Sequence, residues 1–91
     1  MDNDFRVNEE SRQFEMDVEG QMAIITYIRQ GNIISLNHTE VPKELQGKGV
    51  ANEIVDKTLN YIKEQNLKVV PSCSFVSAFV ARHPEWKSIV S

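Results

Sequence analysis

The densest chemical signal in the sequence is six consecutive residues, Gln46-Gly47-Lys48-Gly49-Val50-Ala51. Two glycines and an alanine let the backbone approach a ligand closely. An amphipathic run starts directly after them, so the unpaired N–H groups of a first helical turn, with the positive end of the helix dipole behind them, face whatever the loop faces. That arrangement suits an anion, and a pyrophosphate offers it several acceptor oxygens. Lys43 and Lys48 add positive charge at the rim. Other phosphate loops fit worse: there is no Walker-type G-x-x-x-x-G-K-S/T, and a G-x-G-x-x-G loop needs glycine where Asn52 stands.

Three further side chains are of types that do chemistry. His38 and Glu40 lie two apart in a β-rich stretch, so both leave the same face of a strand about 7 Å apart along it, and either can act as a base. Cys73 can give a proton or act as a nucleophile. Each also has a plain structural role: a histidine satisfying backbone groups, a solvated carboxylate, a buried thiol. His38, Cys73 and His83 lack ligand-like spacing, so no metal site is expected.

The elements that must position these residues follow from periodicity. Phe14, Met16 and Val18 alternate with charged residues, Glu19-Gly20 interrupts, and residues 22–29 resume as a β-rich run; that predicts a hairpin. A break at Gln30-Gly31-Asn32 precedes a third strand over residues 33–41, completing an antiparallel meander that Pro42 stops. Beyond Gly49, the positions Ala51, Val55, Thr58, Leu59 and Ile62, widened by Val50, Ile54 and Tyr61, predict a helix of about four turns ending at Asn66. Residues 67–71 are short and β-branched, which predicts a fourth strand joined parallel to the third by a helical crossover. Phe75, Phe79 and Arg82 share one side of a second helix that stops at Pro84, leaving Trp86 and Ile89 to pack near the end. Arg82 and His83 complement that helix's C-terminal dipole. The expected fold is α+β with a mixed sheet: three-stranded antiparallel meander, helix, fourth strand parallel to the third, C-terminal helix.

Ninety-one residues accommodate one domain, 1–91, and the polar, acidic first ten residues are read as including a mobile end. Ten Lys and Arg against 13 Asp and Glu give a net charge of −3, which offers no broad basic surface for nucleic acid or anionic lipid. The longest apolar stretch, residues 22–28, is far short of the roughly 20 residues needed to cross a bilayer. One cysteine allows no internal disulfide, and the start MDNDFRVNEE has no signal-peptide character, so a soluble cytoplasmic protein is expected.

Gln46, Gly49 and Ala51 also match the pattern Gln/Arg-x-x-Gly-x-Gly/Ala, and Val41-Pro42 a preceding V-x-P strand end. In these motifs, and in the order strand, loop, helix, strand over residues 33–71, the chain resembles the GNAT superfamily of N-acetyltransferases. It looks most like the small YjdJ-type branch, in which a H-T-E-V strand, a Q-G-x-G-x-A loop, a P-x-C and a late H-P-E recur, here at His38, Gln46, Pro71 and His83. The resemblance implies acetyl-CoA as cosubstrate and an amine acceptor. It implies that backbone groups of residues 46–51 hold the CoA pyrophosphate, that Thr39 and Val41 pair with the pantetheine arm, and that Cys73 lies toward the acyl group. His38 and Glu40 are then candidate bases for the amine, and Cys73 a candidate acid or acyl acceptor. The chain departs from full-length relatives in lacking their extra helices between the early strands and their final pair of strands. It also has no tyrosine in residues 74–83, where relatives commonly carry a general acid. Those departures admit an alternative, a non-catalytic CoA-binding or interaction module.

Overall fold

The computed structural model describes residues 3–91. Five strands, β1 (Asp4–Asn8), β2 (Gln13–Val18), β3 (Gln21–Gln30), β4 (Ile33–Glu40) and β5 (Lys68–Pro71), form one sheet in that spatial order. The first four are antiparallel neighbours; β5 lies parallel to β4. The helix α1 (Val50–Glu64) makes the crossover, and α2 (Ser74–Arg82) follows β5, with a 3-10 turn at Lys43–Leu45 before α1 and another at Pro84–Ile89 after α2. The mixed sheet and the element order from β2 onward are those expected from the sequence.

One strand was not expected. Asp4–Asn8 is an edge strand where the sequence suggested a mobile end; the part of that expectation falling on residues 1 and 2 lies outside the described residues. The strand forms because Phe5 and Val7 alternate with Arg6: Phe5 stacks on Phe14 with ring centroids 6.1 Å apart, Val7 packs against the core, and Arg6 pairs with Glu15 and Asp17 at 2.9 Å each.

Along β2 and β3 the core-facing residues alternate, Phe14, Met16 and Val18 opposite Ile25, Ala23 and half-buried Gln21, while Glu15 on the other face is buried beneath Arg6, Asn8 and Gln13. The turn between the two strands has positive φ at Glu19 and Gly20, which suits the right-handed twist of a two-residue hairpin. Helix α1 presents Val50, Ile54, Val55, Thr58, Leu59 and Ile62 to the same core. Each fully buried aliphatic there contributes about 1.5–3 kcal/mol, which is what holds the helix to the sheet. Asn66 at φ 59 closes α1 in the left-handed region, a helix stop that Asn tolerates. From α2 and the turn after it, Val76, Phe79, Val80, Trp86 and Ile89 complete the core.

An irregularity in β4 sets up the site. Thr26 faces His38 but Tyr27 faces Leu36, so Asn37 is an extra, bulged residue. Ile34 and Leu36 point into the core before it. After it the alternation changes phase: Thr39, paired with the buried Ile25, takes the helix-bearing face, and His38 and Glu40 take the other.

Candidate functional site

Strands β4 and β5 part company early. Their pairing ends at Leu36 and Pro71, and the last backbone bond between these segments is from Cys73 N–H to the Leu36 carbonyl, 2.8 Å. The remainder of β4, through Thr39 to Glu40, therefore has no β5 partner, and a gap opens between that strand end and the start of α2.

The segment after β4 turns sharply into α1. Gly47 (φ 82) and Gly49 (φ 76) both occupy the left-handed region, and Gly49 is the residue that caps α1. A Cβ at either position meets nothing within 4 Å, so glycine is required here by backbone conformation and not by crowding. No side chain caps the helix, and the first N–H taken within it is that of Glu53, bonded to the Gly49 carbonyl at 3.1 Å. The N–H groups of Val50, Ala51 and Asn52 are left for a ligand. These residues, with Gln46, Gly47 and Gly49, line a cavity of about 300 Å³ whose apolar wall is Val41, Leu45 and Phe75. Open space at the glycines and unclaimed donors at a helix start form a cradle of the kind an anionic phosphate group fits. Gln46 reaches back, its side-chain amide donating to the Val41 carbonyl at 3.4 Å. Lys48 is not in the wall; its ammonium lies 3.4 Å from Glu19 on the β2–β3 turn, both exposed.

Cys73 is half-buried and precedes the first residue of α2. Its Sγ is 3.5 Å from the Thr39 hydroxyl across the gap. Burial alone would push the thiol up, but hydrogen bonds from Thr39 and from the backbone at Val76 and Phe75 outweigh it, so its pKa is held below the ordinary value for cysteine. His38 and Glu40 are exposed on the opposite face of β4. The structure thus brings Thr39, Cys73, Val41 and the loop residues Gln46, Gly47, Gly49, Val50 and Ala51 to the helix-bearing face around the gap, turns Lys48 away toward Glu19, and leaves the two candidate bases on the other face of β4.

A second concavity, of about 310 Å³, lies toward the other end of β3, lined by Glu9, Arg12, Tyr27, Ile28 and Arg29. It has neither a helix start nor a nucleophile, and burial pushes the Tyr27 phenol up, so it does not compete as a site for phosphate or acyl chemistry. At the far end of α2, His83 stacks on Phe79 with ring centroids 4.2 Å apart and places Nδ1 2.9 Å from the Phe79 carbonyl; it caps that helix. Leu45, Asn52 and Phe75 line the cavity but were not among the expected site residues; Phe75 was expected only as a packing residue of the second helix. The only signal for Asn52 was its place in the first helical turn.

A glycine-bearing turn into a helix start, beside a parting pair of parallel strands, is the geometry that marks this fold. Residues 13–89 match the model of the GCN5-related N-acetyl-transferase family, and the chain belongs to that family. It is similar to Protein NATD1 of Mus musculus, 32% identical over 76 residues that cover 80% of this chain and 69% of that protein. Protein NATD1 of Homo sapiens is matched at the same identity, with 67% of its length covered. The NMR solution structure of a GCN5-like protein from Staphylococcus aureus superposes with a TM-score of 0.73 at 28% identity, covering 97% of this chain and 87% of that one.

Proposed function

We infer that the protein binds acetyl-CoA and transfers its acetyl group to an amine. The observation that carries this reading is the cradle at Gly47, Gly49, Val50, Ala51 and Asn52, open at both glycines and rich in unclaimed N–H donors, in a cavity whose wall residues Val41 and Phe75 each lie two residues along the chain from Thr39 and Cys73. The donor set and the volume fit a CoA pyrophosphate, with Gln46 at the rim and the edges of Thr39 and Val41 left for the pantetheine amides.

Bound there, acetyl-CoA supplies an activated thioester carbonyl. The chain's residues then have three tasks. Unpaired β4 backbone aligns the arm so that the carbonyl lies in the gap. Glu40 or His38, exposed on the other face of β4, takes the proton of an incoming ammonium. Cys73, with its lowered pKa, is acidic enough to return a proton to the departing CoA sulfur, and as a thiolate it can accept the acetyl group itself before the amine does. In both routes the carbon–sulfur bond to CoA breaks and one acyl bond to nitrogen forms, the Cys73 route making and breaking a second thioester on the way; the ammonium loses two protons, one through Glu40 or His38 to solvent and one that balances the proton gained by the CoA sulfur.

Titrating CoA while following backbone amides tests the first half: shifts are expected at residues 46–52, and stationary amides there refute the placement. Incubation with acetyl-CoA and a panel of amines should release free thiol and acetylated amine. Intact-mass analysis without an amine distinguishes the two roles of Cys73, an acetyl adduct lost in Cys73→Ala marking the nucleophile. The tyrosine-free α2 supports a second reading, a CoA-binding module without turnover; unchanged CoA affinity with no thiol release across the panel would establish it.

A further inference from the structure

The three large apolar side chains that stand exposed among the described residues are Met22 at 37%, Ile33 at 38% and Ile28 at 52%. All three lie on one face of the sheet. On β3 they alternate with the buried Ala23, Ile25 and Tyr27, and on β4 Ile33 alternates with the buried Ile34. Both helices pack their buried residues into the core on the opposite face. Half-buried Ile24 and Val70 stand near them, Ile24 facing Glu40 and Val70 facing Ser35, with Thr26 on β3 and Ser35 on β4 interrupting the apolar side chains.

Charge on this face is polarised along the strands. At the end nearest residues 46–51 stand Asp4, Asp17 and Glu40, carried by β1, β2 and β4. The cations on the face are already engaged, and Arg6 engages Asp17 itself, which leaves Asp4 and Glu40 as the acids of that end with no cation partner among the described residues. Arg6 is held between Glu15 and Asp17, and Lys68, at the far end of β5, donates to the Ser88 carbonyl at 2.9 Å. Among the described residues, a second copy docked through this same face would therefore bring no free cation to the acidic end. A cationic segment would be complementary there, with apolar residues to cover the other end. Glu40 is level with Ile24, and Ile28 lies four residues further along β3, about 13 Å. That is four residues of extended chain.

We propose that this helix-free face seats a polypeptide acceptor, its lysine ammonium against Glu40 and its apolar side chains, four or so residues away, over Ile28 and Ile33. The lysine then lies beside the gap, next to His38 and Glu40, so the assignment of the segment as an acceptor rests on the acetyltransferase reading. The docking itself does not.

The test uses a synthetic peptide with one lysine and two leucines about four residues beyond it, followed by amide shifts of the full chain. Saturable shifts are expected on the outward positions of β3 and β4, weakened by added salt and by acetylating the peptide's lysine. Ile28→Lys and Ile33→Lys, both at exposed positions where the fold has little at stake, should each weaken binding about tenfold or more. CoA should still move residues 46–52 in both variants. No saturation by about 1 mM peptide, equal affinity for a peptide with glutamate in place of lysine, or indifference to both substitutions would each overturn the proposal. So would concentration-dependent dimerisation abolished by Ile28→Lys, which would assign the face to a second copy. Peptide binding without CoA binding would leave the docking standing and remove the acetyltransferase reading; CoA binding without peptide binding would do the reverse.

Discussion

Replacing Gly49 by aspartate puts a carboxylate at the mouth of a helix start. Two costs can be separated in advance. Gly49 sits at φ 76, where an L-residue pays about 1–2 kcal/mol of backbone strain, and a Cβ there meets nothing within 4 Å, so no clash is added. For a domain of this size that strain lowers the melting temperature by about 4–8 °C per kcal/mol. The second cost falls on the ligand alone. A carboxylate about 6 Å from a phosphate charge, at an effective dielectric constant of about 20, repels it by roughly 3 kcal/mol, close to a hundredfold in affinity. Gly49→Ala carries the strain without the charge. Gly31→Asp carries both, but at φ 61 in the β3–β4 turn, away from the cavity. Calorimetric titration with CoA should therefore find Gly49→Asp weakened about a hundredfold, Gly49→Ala by far less, and Gly31→Asp unchanged. All three should unfold cooperatively at moderately lowered temperatures. Wild-type affinity in Gly49→Asp would refute the placement of the pyrophosphate, and an equal loss in Gly49→Ala would refute the electrostatic reasoning.

Other consequences are open to simpler measurements. Because its folded pKa is lowered, Cys73 should be alkylated by iodoacetamide with a pH midpoint below that of a free cysteine; Thr39→Val removes the hydroxyl donor and should move that midpoint up. Glu15 is held below the usual carboxylate range by hydrogen bonds from Gln13 and Asn8 and by Arg6, against the opposing effect of burial. A depressed carboxylate contributes stability that is complete above its unfolded pKa and is lost as pH falls through the folded one. Glu15→Gln should accordingly destabilise the protein at neutral pH and flatten its acid limb, and a parallel offset at all pH values would contradict this. Thr58 buries a hydroxyl with no hydrogen-bond partner among the described residues. Thr58→Val should stabilise by about 1 kcal/mol in denaturant titration, and destabilisation would mean that the hydroxyl is satisfied.

Much of this architecture is legible in the sequence because two periods dominate it. Phe14, Met16 and Val18 could only alternate, and residues 50–62 repeat with helical spacing over more than three turns. Strand β1 escaped because two apolar residues, Phe5 and Val7, are too few to establish a period; its support comes from Phe14, nine residues away. Alternation puts His38 and Glu40 on one face but cannot say which. That is decided by the bulge at Asn37, a single inserted residue that changes the phase of everything after it, and no residue type announces it. The cradle was legible because glycines at two left-handed positions and a helix start leave a compositional trace. Phe75 in the cavity wall left none, since its position depends on how α2 returns across the sheet. The pairing of Thr39 with Cys73 spans 34 residues and arises only from topology.

The early parting of β4 and β5 also orders the birth of the cavity in time. Strands β1 to β4 are joined by short turns and need only local chain closure, whereas β5 must return past the whole of α1 before it meets β4. Cys73 and Phe75 come later still on a growing chain. The wall that faces the glycine cradle is thus the last to arrive, and a meander without it has half a binding site. In a stopped-flow refolding experiment, capture of CoA should lag the formation of the antiparallel sheet, and the delay reports the closing of the parallel crossover; simultaneous appearance of the two signals would place that crossover in the first folding event.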